Sequence, residues 1–485
     1  MFPAVFAIFI HFSGDRACIK DYVFIDPPYN TGNEGWVYND NVNDPKIKKW
    51  LGEVVGKEGE DLTRHDKWLC MMYPRLKLLQ KLLADDGVIF ISIDENEQSN
   101  LKLLCDEIFG ISNYRTMISW QRKYSVSNNY KGIATICEYI LVYSKSDCFQ
   151  NHLLPRSDDS KARYINPDND SRGPWKTVDY LNQATPAQRP NLCYDITNPY
   201  TGQVIKNKSK AWKYEKSTHN RHVAENKIWW GIDGKNTVPA LKLFLSEVRD
   251  GMTPHNWWPY NEVGHTQEAT NELVTIFGEK SVFDYPKPTR LIERILQIAS
   301  DPNSIILDSF AGSGTTAHAV LNMNKADGGK RKFILVEMMD YADSITAERV
   351  KRVIHGYGEG KKAVEGTGGS FGFYELGEPL LIGDCLNEAV GTEKIREYIW
   401  FTETKRPYAP PRGGNPYYLG ENNHTGYYFY YEPDRMTVLD YAFLSTITEK
   451  TDGAVIYADR CAISQDKLVE MEIMFKKIPR DISRL

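Results

Sequence analysis

A strand, a glycine-rich loop, a helix and a second strand follow one another between residues 304 and 337. The apolar run SIIL precedes DSFAGSGTT, a helical pattern covers residues 315–324, and a second apolar run ends at Glu337. Two strands joined through a helix need a crossover connection, so this unit predicts parallel neighbouring strands and an α/β fold. It restricts the possible architecture more than any other part of the chain.

The loop of this unit also predicts a ligand. Gly312-Ser-Gly314-Thr-Thr-Ala317 satisfies the G-x-G-x-x-G/A pattern, and Glu337 ends the next strand, where a carboxylate can accept from ribose hydroxyls. It is not a P-loop, because no lysine follows the second glycine. A dinucleotide and S-adenosylmethionine both fit, and Phe310 favours the latter because an aromatic ring there can pack against a single adenosine.

The same alternation occurs in the first third of the chain. Residues 67–84 have apolar side chains at spacings of three and four, which predicts a helix, and the apolar run 88–93 predicts a strand. Residues 100–109 have a helical pattern, and residues 139–143 form another apolar run of strand length. Together with the glycine-loop unit, this rhythm predicts a doubly wound, mostly parallel sheet.

The stretch DPPY, residues 26–29, follows a short apolar run and has a chemical explanation. The exocyclic amine of a nucleobase is a poor nucleophile because its lone pair is delocalised into the ring. The Asp26 carboxylate and the Pro27 carbonyl can accept its two N–H bonds and point the lone pair at a methyl donor, while Pro27 and Pro28 lock the backbone. Tyr29 can stack on the base, which must first leave the duplex. The alternative is an ordinary Pro-Pro turn.

Residues 149–278 differ from the segments on either side. They are polar, aromatic and rich in turn-forming residues, which predicts an inserted module. Within it, residues 206–230 interleave cations with aromatic side chains, as expected of a nucleic-acid surface. The net charge of −5 does not exclude such a surface, because the local charge over the phosphates is what matters. The alternative is a solvated charged face with the tryptophans in a core. The predicted DNA-binding residues are Lys208, Lys210, Trp212 and Lys213.

The D-P-P-Y and F-x-G-x-G motifs, in this order, resemble the amino-methyltransferase family that modifies adenine N6 in DNA. DPPYNTG, GVIFISIDENE, RGPWK, KIWWGIDGKN and YPKP are together similar to the Mod subunit of type III restriction-modification systems. The resemblance extends over roughly residues 23–380. It implies a Rossmann-like core that uses S-adenosylmethionine, with an inserted target-recognition domain and a small C-terminal domain.

The resemblance also implies which residues act. Asp26, Pro27, Pro28 and Tyr29 match the catalytic motif. Lys287 and Pro288 match the segment that helps hold the methionine end of the cofactor. The residues that match the cofactor motifs are Asp308, Phe310, Gly312, Gly314, Thr315 and Glu337.

Four parts are expected from the motif order. Residues 1–148 hold the catalytic half of the core, 149–278 the target-recognition insert, 279–358 the cofactor-binding half, and 359–485 a C-terminal domain for oligomerisation or partner binding. The resemblance implies double-stranded DNA as substrate, a homodimer, and a restriction (Res) subunit with ATP-dependent nuclease activity as a possible partner.

Residue usage restricts the setting and the metal content. The eight cysteines are scattered without a C-x-x-C pair, which predicts a reducing compartment, here the prokaryotic cytoplasm. His65, His219 and His222 fit no four-ligand pattern, so no metal is expected. The opening MFPAVFAIFI is too short to span a bilayer, so no membrane anchor is expected.

Three alternatives stay open at this point. Cytosine N4 methylation poses the same chemical problem, although Asp rather than Ser before Pro-Pro-Tyr favours adenine. Only 25 residues precede Asp26, fewer than is usual in the family, so a truncated and inactive DNA-binding subunit is the second alternative. A nicotinamide-dependent oxidoreductase explains the glycine loop but leaves DPPY and the basic insert unexplained.

Overall fold

The computed structural model describes residues 7–10, 22–31, 64–126, 131–206, 209–375, 377–383, 385–411 and 413–480. The chain divides into two compact units, a larger one over Ile8–Phe373 and a smaller one that contains Tyr374–Leu485. The predicted division into four parts is finer than this one and stays a prediction.

A central sheet forms the framework of the larger unit. Its strands within the described residues are β1 (Ala7–Ile10), β2 (Tyr22–Ile25), β3 (Val88–Ile93), β4 (Tyr114–Gln121), β5 (Cys137–Ser144), β6 (Trp257–Trp258), β7 (Ile305–Asp308), β8 (Lys332–Glu337) and β9 (Gly372–Tyr374). Their spatial order is β6-β4-β5-β3-β2-β7-β8-β1-β9. β2 is parallel to both β3 and β7, and β7 is parallel to β8. The predicted α/β class with a mostly parallel sheet is therefore confirmed.

One part of the sheet differs from the predicted rhythm. The strand expected at 139–143 is β5, and it runs antiparallel to both of its neighbours, β3 and β4. β4 escaped prediction because most of its side chains are only half-buried, so its sequence YRTMISWQ shows no clear period. With β4 present, the chain enters β5 from an antiparallel neighbour instead of from a helix.

The described helices of the larger unit, outside the insert, are α1 (Arg64–Leu82), α2 (Gln98–Phe109), α3 (Tyr260–Val263), α4 (Thr266–Phe277), α5 (Thr289–Ala299), α6 (Thr315–Asp327) and α7 (Glu348–His355), and a π-helical segment covers Ala342–Ala347. α1, α2 and α6 match the predicted helical stretches, and the other helices were not predicted. α1 buries Trp68, Met72 and Leu76 against the sheet, which explains the spacing of its apolar residues. Among the described helices, none has both the length and the hydrophobicity needed to cross a membrane.

The insert between β5 and β6 has its own small core. Its strands are Trp175–Asp179, Ile196–Thr197, Val204–Ile205, Ile228–Trp229 and Ala240–Phe244, and its helices are Asp158–Ala162 and Lys216–Ala224. Ala240–Phe244 pairs antiparallel with both Trp175–Asp179 and Ile228–Trp229. After the insert, β6 pairs with β4 in the central sheet. The segment that folds apart from this sheet therefore ends earlier than residue 278.

The smaller unit is built on a second sheet. The strands Tyr418–Asn422, Thr425–Phe429, Gly453–Ala458 and Ile473–Lys477 lie in this order, the first pair antiparallel and the others parallel. Short strands pair at Leu381–Ile382 with Cys385–Leu386 and at Val438–Leu439 with Arg460–Cys461, and the helices are Thr392–Thr404, Tyr441–Leu444 and Gln465–Glu470. Trp400, Leu419 and Phe429 belong to its core.

Candidate active site

The two sequence motifs meet at one edge of the central sheet. β2 and β7 are parallel neighbours, with Asp308 of β7 paired with Phe24 of β2. The DPPY turn begins directly after β2, and the glycine loop begins directly after β7. Ligands of open α/β sheets bind outside the carboxyl ends of the strands. The strand order thus creates a crevice to which both motifs contribute.

Neighbouring side chains hold the DPPY turn in place. The indole Nε1 of Trp68 on α1 donates to the carbonyl oxygen of Pro28 at 2.7 Å. Asn30 has a φ of 56°, a conformation that asparagine tolerates better than most residues, and its Nδ2 donates to Glu97 Oε1 at 2.5 Å. The turn is therefore anchored on both sides of Tyr29.

A cavity of about 250 Å³ opens at this edge. Residues of both motifs and of the segment 281–287 form its wall. The predicted site residues that line it are Asp26, Pro27, Pro28, Tyr29, Lys287, Asp308, Phe310, Gly312 and Thr315. Pro288, Gly314 and Glu337 are buried beside the lining residues.

The backbone of the glycine loop has a conformation that requires glycine. Gly314 has a φ of 81°, and a Cβ atom at this position would lie 3.1 Å from the backbone oxygen of Thr346. The Glu337 carboxylate supports the loop from behind, since its Oε2 accepts from the Gly312 backbone N–H at 2.8 Å. Its predicted hydrogen bond to a ribose hydroxyl stays a prediction.

Asp308 is a buried carboxyl group at the end of β7. The Thr316 hydroxyl donates to its Oδ2 at 2.6 Å, and the Phe310 backbone N–H donates to its Oδ1 at 3.1 Å. Burial raises the pKa of Asp308 to about 7 against the effect of these two bonds, with further contributions from Asp26 and Glu337. Asp308 therefore changes its charge near neutral pH.

Lys287 contacts the catalytic motif through its side chain. Its Nζ donates to Asp26 Oδ1 at 2.8 Å and to Oδ2 at 2.7 Å, and it lies 3.6 Å from Glu138 Oε2. Burial lowers the pKa of Lys287, but Asp26 and Glu138 outweigh burial and raise it above its usual value. Its backbone oxygen accepts from Thr315 Oγ1 at 3.2 Å. In the structure the ammonium group pairs with Asp26, and the contact with the cofactor that the resemblance implies stays a prediction.

Tyr29 is held through its hydroxyl group. The hydroxyl donates to Asp26 Oδ1 at 2.8 Å and also lies 2.7 Å from Ser92 Oγ and 3.2 Å from Glu138 Oε2. Burial, reinforced by the charges of Asp26 and Glu138, raises the pKa of Tyr29 well above its usual value. These contacts fix the ring at the cavity wall, and its stacking on a base stays a prediction.

Three polar residues at this site were missed by the sequence analysis. Ser92 lies on β3, Glu138 on β5, and Arg122 directly follows β4, where its Nη1 is 3.1 Å from Glu138 Oε1. Ser92 interrupts the apolar run of β3, and Glu138 precedes YILVY. Because a buried polar side chain needs partners, a polar residue in an apolar strand was the signal that could have revealed two of them.

A buried arginine donates hydrogen bonds to side chains at the end of the glycine loop. Arg349 on α7 is 1% exposed, and its Nη1 donates to Ser313 Oγ at 3.0 Å and to Thr315 Oγ1 at 2.9 Å. Its Nη2 lies 2.9 Å from Glu272 Oε2 and 3.1 Å from His318 Nδ1. Burial and the charge of Arg349 keep the pKa of His318 well below its usual value, so the imidazole is a neutral acceptor. No local motif in the sequence indicates this contact.

The predicted DNA-binding residues have different environments. Lys210 and Lys213 are exposed, and Lys208 lies outside the described residues. Trp212 is fully buried among Tyr180, Ile196 and Trp230, and its Nε1 donates to the Tyr194 carbonyl at 2.8 Å. This burial corrects the expectation for Trp212, because an indole in the core of the insert cannot face DNA.

The histidines considered as metal ligands have other partners. His219 and His222 direct their Nδ1 atoms to the Tyr180 hydroxyl at 3.0 and 3.1 Å, and burial lowers both of their pKa values. His65 Nδ1 lies 2.6 Å from Glu97 Oε1. Within the described ranges, no three histidine, cysteine or acidic side chains are grouped as a metal site would require.

Comparison with known proteins identifies the family. Residues 20–403 match the family described as DNA methylase. The chain is 36% identical over 368 residues to the type III restriction-modification enzyme StyLTI Mod subunit of Salmonella typhimurium (71% of this chain) and 32% identical over 383 residues to the EcoP15I Mod subunit of Escherichia coli (69% of this chain). It is also 35% identical over 338 residues to the type II methyltransferase M.KpnI of Klebsiella pneumoniae, which covers 65% of this chain.

The extent of these matches differs between the relatives. The alignments cover 55% and 57% of the two Mod subunits, so the chain spans about half of their length, but they cover 75% of M.KpnI. The predicted resemblance to Mod subunits is confirmed for the part of those proteins that this chain matches.

Proposed function

The chain belongs to the DNA methylase family, and from that premise we propose that it transfers the methyl group of S-adenosylmethionine to adenine N6 in double-stranded DNA. We further propose that it acts as the modification subunit of a type III restriction-modification system in the prokaryotic cytoplasm. The observation that carries the proposal is the single cavity lined by Asp26 of the DPPY turn and by Phe310 and Gly312 of the glycine loop. It allows a methyl donor and an exocyclic amine to meet.

The cavity has the features that S-adenosylmethionine requires. The cofactor carries positive charge on its sulfonium and amino groups, and Asp308 supplies a carboxyl group at the wall. Phe310 can pack against the adenine ring, and the positive φ of Gly312 lets the backbone approach the ligand closely. When bound, S-adenosylmethionine would supply an electrophilic methyl group, with S-adenosylhomocysteine as the leaving group and one proton released from the amine.

The chain's own residues prepare the amine. The Asp26 carboxylate and the Pro27 carbonyl accept hydrogen bonds from the two N–H groups and aim the lone pair at the methyl group. The anchored DPPY turn keeps these acceptors in position, which lowers the barrier because little reorganisation is needed. The ring of Tyr29 provides a face for the flipped base.

Cytosine N4 and adenine N6 present the same group to Asp26, and we propose adenine because Asp precedes Pro-Pro-Tyr and two of the compared relatives are Mod subunits. A stand-alone type II methyltransferase is the second candidate, favoured by the greater coverage of M.KpnI. Because the chain belongs to the DNA methylase family, we no longer hold the oxidoreductase alternative. The cavity shared by both motifs argues against an inactive subunit.

The test is to express the chain in a host without its own DNA methyltransferases and to sequence the genome by a single-molecule method. We expect N6-methyladenine at one recurring sequence, and none with Asp26→Ala as the matched control. N4-methylcytosine at such a sequence would show that cytosine, and not adenine, is the target base. Unmodified DNA from cells that contain folded, cofactor-binding protein would refute the proposed activity.

The proposed partners need a separate measurement. Light scattering of the purified chain tests the homodimer, and purification from the native host tests for an ATP-dependent nuclease subunit. Copurification of such a subunit supports the type III assignment. Site-specific methylation together with a chain that purifies without any nuclease subunit would favour the type II candidate.

A further inference from the structure

One ammonium group at the wall of the cavity lies between two carboxylates, of which Asp26 also lines the cavity. Lys287 Nζ contacts both oxygens of Asp26 at 2.8 and 2.7 Å and lies 3.6 Å from Glu138 Oε2. The side chains of Lys287 and Glu138 are 9% and 7% exposed, so water competes little for either group. The position of the ammonium therefore depends on the balance between the two carboxylates.

This arrangement makes the ammonium a competitor of the target amine. Asp26 must accept a hydrogen bond from that amine, but each of its oxygens already accepts from Lys287, and Oδ1 also accepts from Tyr29. One acceptor position remains on Oδ2, since a carboxylate oxygen can accept two hydrogen bonds. The positively charged ammonium attracts the carboxylate more strongly than a neutral amine does. A shift of the ammonium to another anionic acceptor therefore strengthens the bond between Asp26 and the amine.

We propose that Glu138 is a positioning residue that accepts the Lys287 ammonium when the target base enters, and thereby frees the Asp26 carboxylate for the amine. The inference rests on the proposed methyl transfer and adds a residue that the DPPY and glycine-loop motifs do not contain. Glu138 acts through Lys287, and its other partners at the site are Arg122 and the Tyr29 hydroxyl.

The geometry around Glu138 suits this transfer. Arg122 Nη1 holds Glu138 Oε1 at 3.1 Å, and Oε2 faces both Lys287 and the Tyr29 hydroxyl, which is 3.2 Å away. Closing the 3.6 Å gap to the 2.7–2.9 Å of a charge-assisted hydrogen bond requires only a small shift of a flexible side chain. The two carboxylates and the two cations of Asp26, Glu138, Arg122 and Lys287 also balance in charge. The ammonium can therefore change partners without changing the net charge of these four groups.

The first test is Glu138→Gln in single-turnover methyl transfer, on a duplex that carries the sequence found by genome sequencing. Glutamine keeps the size and an acceptor oxygen but loses the negative charge, so Lys287 stays on Asp26. We expect the rate to fall by about ten- to a hundredfold, the range for a hydrogen bond to a charged group, with unchanged affinity for S-adenosylhomocysteine.

The second test separates positioning from ordinary structural support. Adding Lys287→Met to Glu138→Gln removes the competing ammonium, and we expect the double variant to transfer faster than Glu138→Gln alone. A structural role predicts the opposite, because two damaging changes then add. If Glu138→Gln does not fold, the single variant Lys287→Met tests the proposal in its place. Fluorescence of 2-aminopurine at the target position should then report tighter capture of the flipped base than in the wild type.

A matched control lies in the smaller unit. Glu403 accepts from Lys476 Nζ at 2.7 Å and from the Tyr457 hydroxyl at 2.5 Å, a similar lysine–glutamate–tyrosine group. Glu403→Gln should leave the transfer rate unchanged. A wild-type rate for Glu138→Gln, or a double variant no faster than Glu138→Gln, would overturn the inference while the proposed function stands. An inactive wild type would overturn both.

Discussion

Replacing Glu337 by alanine should weaken cofactor binding through the backbone of the glycine loop. The carboxylate accepts from the backbone N–H of Gly312 at 2.8 Å, of Met338 at 2.9 Å and of Met339 at 3.1 Å. Of these three residues only Gly312 lines the cavity, and its hydrogen bond to Glu337 is buried. A hydrogen bond to a charged group contributes about 1.5 to 3 kcal/mol, so we expect roughly a ten- to hundredfold loss of affinity.

Calorimetric titration with S-adenosylhomocysteine measures this loss directly. The control is Glu449→Ala in the smaller unit, because Glu449 also accepts backbone N–H bonds, from Asn415 at 2.8 Å and from Thr448 at 3.2 Å. This variant should lower the thermal midpoint and leave cofactor affinity unchanged. Unchanged cofactor affinity in folded Glu337→Ala would refute the argument.

A deoxy analogue of the cofactor separates support of the loop from a bond to the ribose. If Glu337 binds a ribose hydroxyl, the analogue without that hydroxyl loses little further affinity in Glu337→Ala, because both changes remove the same bond. If the carboxylate acts through Gly312, the two losses multiply. The structure predicts the second result, since Oε2 accepts from the loop itself.

Three further predictions concern other parts of the molecule. Asp26→Ala should abolish methyl transfer in a radiolabel assay but keep cofactor affinity within several-fold, because the carboxylate acts chiefly on the target amine. Asp308 has a pKa raised to about 7, so it becomes negative as pH rises through that value, and calorimetry should show cationic cofactor binding strengthening over the same range. Lys210→Ala with Lys213→Ala should flatten the salt dependence of DNA binding, by a log–log slope of about 0.9 for each phosphate that the protein no longer neutralises.

Each of these predictions has its own contradicting result. A wild-type rate in Asp26→Ala removes that carboxylate from the mechanism. Asp308→Asn should abolish the pH dependence of cofactor affinity, and an unchanged profile in this variant assigns the titration to another group. An unchanged salt slope in the double lysine variant means that this face of the insert is merely solvated.

Local sequence was enough to predict the fold class and the two motifs that line the cavity. Asp26 with its two prolines, and Gly312 and Gly314 with the strand before them, hold their chemistry within a few consecutive residues. The α/β class likewise follows from periods of three to four and from short apolar runs, because these patterns report local burial. Such features can be predicted without knowing which distant residues pack against them.

Only the tertiary structure decided which distant side chains meet at the site. Lys287 contacts Asp26, and Glu138 contacts Arg122, because the order β4-β5-β3-β2-β7 places their strands and loops at one edge of the sheet. Trp212 is an aromatic residue in a lysine-rich stretch, which predicted that it faces DNA, but it is buried in the core of the insert. Strand order and burial depend on the packing of the whole chain, and no local pattern encodes which carboxylate an ammonium group will find.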